Sequence, residues 1–192
     1  MVDDGVLSAS ADVGRLEALY ATHARRVQAY ARRRVPPEDA EEVVAETFLT
    51  AWRRIDAVPE DALPWLLAVA RRVVSNKRRA ANRRAALVSR LRRAVHRQAL
   101  DSTAVGSDGL REKVLASMSA LSERDREALM LSYWDDLDPV AAARVAGCSP
   151  RAFSTRLYRA RRHLAARLAG IGVAPAVENG GAHLYREEAN EP

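Results

Sequence analysis

Proline marks where helices in this chain must begin. Three times it follows a residue suited to end or cap a segment and precedes a helical pattern: Val35-Pro36-Pro37, Asp138-Pro139 and Ser149-Pro150. Proline lacks an amide hydrogen and holds φ near the helical value, so it suits the first turn of a helix and disrupts the interior. The residue before it is pushed towards extended geometry, which stops a preceding helix. Asp138 and Ser149 can also accept a hydrogen bond from the free amides of the first turn. The chain is thus cut into short helices at known places.

Between the cuts the apolar residues recur with the helical period. Residues 1–14 read as a loose tail. From Arg15 to about Arg34 the stripe is Leu16, Leu19, Tyr20, Val27 and Tyr30. A second helix opens at Pro37 or Glu38 and carries Val44, Phe48, Trp52 and Ile55, with Glu38, Asp39, Glu41, Glu42 and Glu46 crowding its first half. A loop over Asp56–Pro64 leads to a third helix with Trp65, Leu66, Val69 and Val73. From Leu66 to Leu100 there are eleven Arg or Lys and no acid. The polar stretch Asp101–Gly109 then reads as a linker. Ala, Leu and Arg dominate the chain and strand formers are sparse, so the expected class is all-α. The expected layout is two small helical domains, 15–90 and 110–170, joined by a flexible linker (91–109), with tails at 1–14 and 171–192.

The second half restarts near Leu110. Ser122-Glu123-Arg124-Asp125 reads as an N-cap with an acid at the third position, before a helix carrying Ala128, Leu129, Leu131 and Tyr133. Asp138-Pro139 opens a short helix through Val145, Gly147 supplies a turn, and Ser149-Pro150 opens the last long helix. Two helices across a short glycine-containing turn give a helix-turn-helix outline. At 100° per residue, Phe153, Leu157, Ala160, Leu164 and Leu168 share one face of the last helix. Arg151, Thr155, Tyr158 and Arg162 lie opposite, flanked by Ser154 and Arg159. No acid occurs from Pro139 to Val177. An apolar face for docking and a donor face for the major groove are what a recognition helix requires.

The net charge is +6 and the pI about 10.1. Such a balance suits DNA, RNA or an anionic membrane surface, and it also fits a soluble protein rich in surface arginine. Cys148 is the single cysteine, so an intramolecular disulfide and a cysteine zinc site are excluded, and a small buried thiol is expected over a redox sensor. The N-terminus is acidic without an apolar signal core, and no apolar run approaches the roughly 20 residues of a membrane span. A cytoplasmic protein is expected. With no phosphate-binding glycine loop, metal cluster or nucleophile–base pair visible, neither an enzyme nor a cofactor is expected.

The basic part of the third helix (Arg71, Arg72, Asn76, Lys77, Arg78, Arg79) could track phosphates or simply solvate the helix. Trp65 could stack on an unpaired base, although a core role is the commoner one for tryptophan. The acidic half of the second helix gains a nucleic-acid binder nothing; it fits either a basic protein partner or compensation of the helix dipole.

Taken in order, these residues resemble the extracytoplasmic-function group of the sigma-70 family. Ala45-Glu46-Thr47-Phe48-Leu49-Thr50-Ala51-Trp52-Arg53 is similar to its core-polymerase-binding helix. Trp65-Leu66-Leu67-Ala68-Val69-Ala70-Arg71 with Asn76–Arg79 resembles its −10-recognition helix. Leu121–Glu127 and Thr155–Arg161 resemble its −35-binding domain. The resemblance spans about Leu16–Arg84 and Leu110–Leu168, four motifs in register. It implies a sigma region 2 bundle and a sigma region 4 helix-turn-helix. Glu42, Glu46 and Phe48 would then face or support the β′ clamp helices of core RNA polymerase. Asn76 would read the −10 element, with Arg71, Lys77 and Arg79 near the backbone and Trp65 and Arg72 beside them. The Asp56–Pro64 loop stands where the family captures a flipped base. Ser154, Thr155, Arg156 and Tyr158 would enter the −35 major groove, with Arg151, Arg159 and Arg162 on the same surface. The β flap and an anti-sigma factor, which would hold the protein at the membrane, are further implied partners.

The sequence departs from the family at Ala45, where glutamine is common, and at Arg72, where asparagine is. It departs again at Arg151-Ala152, where a Gly-Thr pair is usual, and at Ser154, usually basic. The helix before the turn is rich in alanine (Ala141, Ala142, Ala143). These changes bear on the promoter sequence rather than on the family. A plain helix-turn-helix repressor is the competing reading, and the acidic second helix and separate basic third helix speak against it.

Overall fold

The computed structural model describes residues 4–95 and 110–170. Its regular elements are helices: α1 (Asp4–Arg32), α2 (Pro37–Arg53), α3 (Ala62–Val95), α4 (Leu110–Ser119), α5 (Glu123–Tyr133), α6 (Pro139–Ala146) and α7 (Pro150–Ala169), with a single 3₁₀ turn at Ile55–Ala57. Among the described residues there is no strand, as the composition led one to expect. None of the described helices is long and apolar enough to cross a membrane.

The capping residues act where they were expected. The Ser122 hydroxyl accepts from the Asp125 amide, Asp138 accepts from Val140 and Ala141, and Ser149 accepts from Ala152. Each satisfies amides that the first turn leaves without an intrahelical partner. Gly147 ends α6 with φ 69°, a left-handed conformation that glycine adopts without a Cβ clash. Two limits differ from expectation. The tail expected at 1–14 is helical from Asp4, and α3 continues past residue 90 to Val95. Once a helix exists, each added residue gains one hydrogen bond for one residue fixed, so a helix can run on beyond the pattern that announced it. The rest of the expected linker (96–109) and the expected C-terminal tail (171–192) lie outside the described residues.

Helices α1, α2 and α3 pack together around Val27, Tyr30, Val43, Thr47, Leu66, Leu67 and Ala70. In the second domain α5, α6 and α7 bury Leu129, Leu131, Val145, Phe153 and Ala160. Fully burying side chains of this size is worth about 1.5–3 kcal/mol each. The two cores are continuous with one another, because α6 packs on α3 as well as on α7. Ala141, Ala142 and Ala143 are buried there. Their small side chains let α6 lie close to helices on two sides, which accounts for the alanine run.

Candidate nucleic-acid interface

The surface of α7 follows from its register. Phe153, Leu157 and Ala160 are buried, and Leu164 and Leu168 partly so. That fixes the opposite face outward: Arg151, Ser154, Thr155, Tyr158, Arg159 and Arg162 are exposed, and Arg156 is half-buried. Tyr158 is 60 % exposed, a large aromatic left in solvent. The Arg162 guanidinium lies 6.0 Å from its ring centroid and the Thr155 hydroxyl donates to the Arg151 carbonyl. Among the described residues none of Arg151, Arg156, Arg159 and Arg162 pairs with a carboxylate. The N-termini of α5 and α7 flank a cleft of about 590 Å³ lined by Arg124, Arg151, Arg156 and Arg159, by the capping Ser122 and Ser149, and by one carboxylate, Asp125, which lies 3.0 Å from His163 Nδ1. Helix N-termini and guanidinium groups converging in this way suit a phosphate.

The basic face of α3 is differently disposed. Arg72 and Arg79 are exposed, and the exposed Asn76 accepts from Arg79 at 2.6 Å. Lys77 is turned inward, its ammonium 2.9 Å from Asp39 Oδ1 and 2.7 Å from Glu42 Oε2. The hydrogen bond to Glu42 raises the Lys77 pKa above its usual value, against the opposing effect of desolvation. Arg71 forms a two-pronged pair with Glu127 of α5, Nε to Oε1 at 2.6 Å and Nη2 to Oε2 at 3.0 Å, and this too raises its pKa. Arg78 donates to Glu123 of α5 at 2.8 Å. Trp65 is half-buried, one side of it packed on the core. The loop after α2 is pinned by buried Val58, whose carbonyl accepts from Arg15 at 2.7 Å.

On α2, Glu42 and Glu46 are exposed, whereas Phe48 is 6 % exposed and meets Tyr20 edge-on at 4.9 Å between ring centroids. Phe48 therefore supports this surface from beneath and does not face outward. The apolar groups that do reach solvent are Tyr20, Leu49 and Trp52. Trp52 belongs to the apolar stripe of α2 yet is 38 % exposed, because the 3.6 period does not separate the centre of a stripe from its margin. Pairing of Asp39 and Glu42 with Lys77 accounts for part of the acidity of α2, while Glu38, Glu41 and Glu46 remain exposed.

A further cluster had no sequence signal. Arg34 and Arg33 of the first domain both donate to the Asp135 carboxylate, Arg34 at 2.6 Å, and Arg26 donates to the Asp135 carbonyl at 2.6 Å. The Arg34 guanidinium lies 3.6 Å over the ring of buried Tyr30. Burial, chiefly, pushes the Tyr30 phenol up to about 12.

With this geometry established, comparison with known proteins is informative. Residues 19–84 match the family model of Sigma-70 region 2, and residues 111–164 match that of Sigma-70, region 4. The chain is 29 % identical over 171 residues to the ECF RNA polymerase sigma factor SigL of Mycobacterium tuberculosis (strain ATCC 25618 / H37Rv), covering 86 % of this chain and 96 % of SigL. It is 30 % identical over 128 residues to the ECF RNA polymerase sigma factor SigM of Bacillus subtilis (strain 168), covering 66 % and 78 %. Its fold is like that of the sigma factor RpoE in complex with the anti-sigma factor NepR from Bartonella quintana. There the TM-score is 0.54 at 22 % identity, over 80 % of this chain and 96 % of that one. CnrH in complex with the cytosolic domain of CnrY gives a TM-score of 0.54 at 24 % identity, over 87 % and 97 %.

Proposed function

The chain belongs to the extracytoplasmic-function (ECF) group of the sigma-70 family of RNA polymerase sigma factors, and from that membership we propose how its parts divide the work of promoter recognition. It binds core RNA polymerase and directs it to the −10 and −35 elements of a particular set of promoters. The polymerase core carries out the chemistry; this chain is not itself an enzyme and works with no cofactor. Its domains are 15–90 (core binding and −10) and 110–170 (−35).

The observation that carries the division of labour is α7. Its inner face is fixed by Phe153, Leu157 and Ala160, and its outer face offers Ser154, Thr155 and Tyr158 among arginines that have no carboxylate partner among the described residues. Ser154, Thr155, Arg156 and Tyr158 read bases of the −35 major groove. Arg151, Arg159 and Arg162 hold phosphates, helped by the cleft between α5 and α7. Trp65, Arg71, Arg72, Asn76, Lys77 and Arg79 meet the −10 element, beside the loop before α3. Glu42 and Glu46, with the exposed Leu49 and Trp52, dock on the β′ clamp helices over the supporting Phe48. An acidic, partly apolar helix suits a basic partner surface. Region 4 meets the β flap. An anti-sigma factor is the expected regulator, holding a cytoplasmic, nucleoid-associated protein at the membrane.

The test is capture of bacterial core RNA polymerase by the purified chain, then run-off transcription on fragmented genomic DNA of the source organism. Core binding with new discrete transcripts is expected. DNA binding without core binding, from a preparation free of co-purified protein, would point to a simple repressor instead. In the same assay Glu42→Lys with Glu46→Lys should weaken core binding at least tenfold, about 1.4 kcal/mol, and leave duplex binding intact. Unchanged core affinity would remove α2 from the docking surface.

A further inference from the structure

A second cavity, of about 190 Å³, lies where α1 and α3 meet α5. Arg34, Arg71 and Arg78 of the first domain and Arg124 and Arg126 of α5 line it, against two carboxylates, Glu123 and Glu127. Three of these arginines are matched. Arg34 donates to Asp135 at 2.6 Å, Arg71 to Glu127 at 2.6 and 3.0 Å, and Arg78 to Glu123 at 2.8 Å. Arg124 and Arg126 pair with no carboxylate among the described residues. Arg126 Nε is buried without a hydrogen-bond partner, and its Nη2 reaches the Leu121 carbonyl at a long 3.4 Å.

We propose that this cavity is a binding site for a phosphate-type dianion, either free inorganic phosphate or the terminal phosphate of a small organic ligand, with Arg124 and Arg126 as its charge partners. A buried guanidinium donor without an acceptor is destabilising, and a buried orphan of this kind calls for a counter-group. Two unmatched positive charges beside one cavity also repel, the more so where water is scarce. A dianion removes both costs. The first turn of α5, which contains Glu123 and Arg124, adds to the pull: its amides lack intrahelical partners, and the helix dipole is positive there.

Residue type and size narrow the ligand. The planar fork of arginine matches phosphate oxygens two at a time, and the Ser75 hydroxyl, which also lines the cavity, is a neutral donor. Glu123 and Glu127 oppose an anion, but each is already held by an arginine. At about 30 Å³ for each water of liquid volume, the cavity has room for roughly six waters, enough for one or two phosphate groups. Pockets for whole drug-sized ligands run to about 300–1,000 Å³, so the remainder of a larger ligand stays outside. Arg124 also lines the cleft between α5 and α7, whereas Arg126 lines this cavity and not that cleft. Arg126 therefore separates the two sites by experiment. The inference does not rest on the promoter reading.

Calorimetric titration of the full chain tests this with three probes: inorganic phosphate, pyrophosphate and a nucleoside 5′-monophosphate, at about 0.15 M sodium chloride to screen loose surface binding. Saturable binding to a single site is expected. Tightest binding of inorganic phosphate would assign the free ion, and tighter binding of either other probe would assign a terminal phosphate. Arg126→Gln should weaken binding by about tenfold or more, the loss of a charged hydrogen-bond donor. Arg126→Lys, which keeps the charge and loses the fork, should fall between the two. Arg159→Ala, on the α5–α7 cleft, should leave phosphate affinity within about twofold of the wild type, since a site of its own adds independently. Helix content and the denaturation midpoint without ligand identify a variant that does not fold, and Arg124→Gln, at an exposed position, then replaces it with the same expected loss. Absence of saturable binding for all three probes would overturn the site. So would binding abolished by Arg159→Ala and untouched by Arg126→Gln, which would place the ion in the α5–α7 cleft. None of these readouts involves polymerase or promoter, so the promoter reading stands or falls apart from them.

Discussion

Helices α3 and α7 are both long, cationic and poor in acids, yet they use their charge in opposite ways. On α7 the arginines of the outer face have no carboxylate partner among the described residues, and Tyr158 stands in solvent beside them. On α3, Arg71, Lys77 and Arg78 are each engaged by carboxylates, two from α5 and the others from α2. The difference lies in the neighbours. Helix α7 docks by one apolar face and leaves the other free, whereas α3 lies between α2 and the second domain. Basic composition alone therefore does not identify a DNA-ready surface; what the cations already touch does.

The sharpest way to break the contrast is to remove what fixes the orientation of α7. Phe153→Ala empties a fully buried position and should cost about 3–5 kcal/mol. Chemical denaturation should report that loss, with duplex binding lost alongside. A smaller effect separates reading from holding. Thr155→Ala and Tyr158→Ala should each cost about 1–3 kcal/mol on the preferred promoter and much less on unrelated duplex. Arg159→Ala or Arg162→Ala should instead weaken all sequences alike and reduce the salt slope by about 1. Equal weakening of every duplex by all four would mean that the outer face of α7 holds DNA without reading it.

The mildest prediction concerns α1, the helix that carries His23 and Arg26. Burial of His23, reinforced by Arg26, lowers its pKa below 6.5. The folded state thus favours the neutral ring. His23's contribution to stability is complete above the unfolded value of 6.5 and is lost as pH falls through the lower folded value. Denaturation midpoints at pH 7.5 and pH 5 should differ more for the native chain than for His23→Gln. An equal pH response would place the titrating group elsewhere.

How much of this was legible in the sequence follows the range of each interaction. The caps at Ser122, Asp138 and Ser149 and the left-handed Gly147 act within three or four residues, and they are found where the pattern predicted. The buried face of α7 was equally legible, because a helical period is local. The partners of Arg34, Arg71 and Arg78 were not. They stand 101, 56 and 45 residues away, and nothing near an arginine in sequence announces a carboxylate at that distance. Phe48 and Trp52 fall between these cases: their helix face was readable, but only packing against Tyr20 settled which of them is covered. The alanines of α6 read as an oddity until two neighbouring helices explained them.

That division between covered and uncovered positions also bears on how such a chain can change over generations. Ser154, Thr155 and Tyr158 contact little of their own protein, and substitutions at exposed sites of this kind usually alter stability by no more than about 0.5 kcal/mol. On the proposed reading of α7, a lineage can therefore drift towards a different set of promoters one residue at a time without losing its fold along the way. Ala142 and Ala143 have no such freedom. Any larger side chain there must displace a helix on one side or the other, and so each must wait for a compensating change in a partner helix before it can vary.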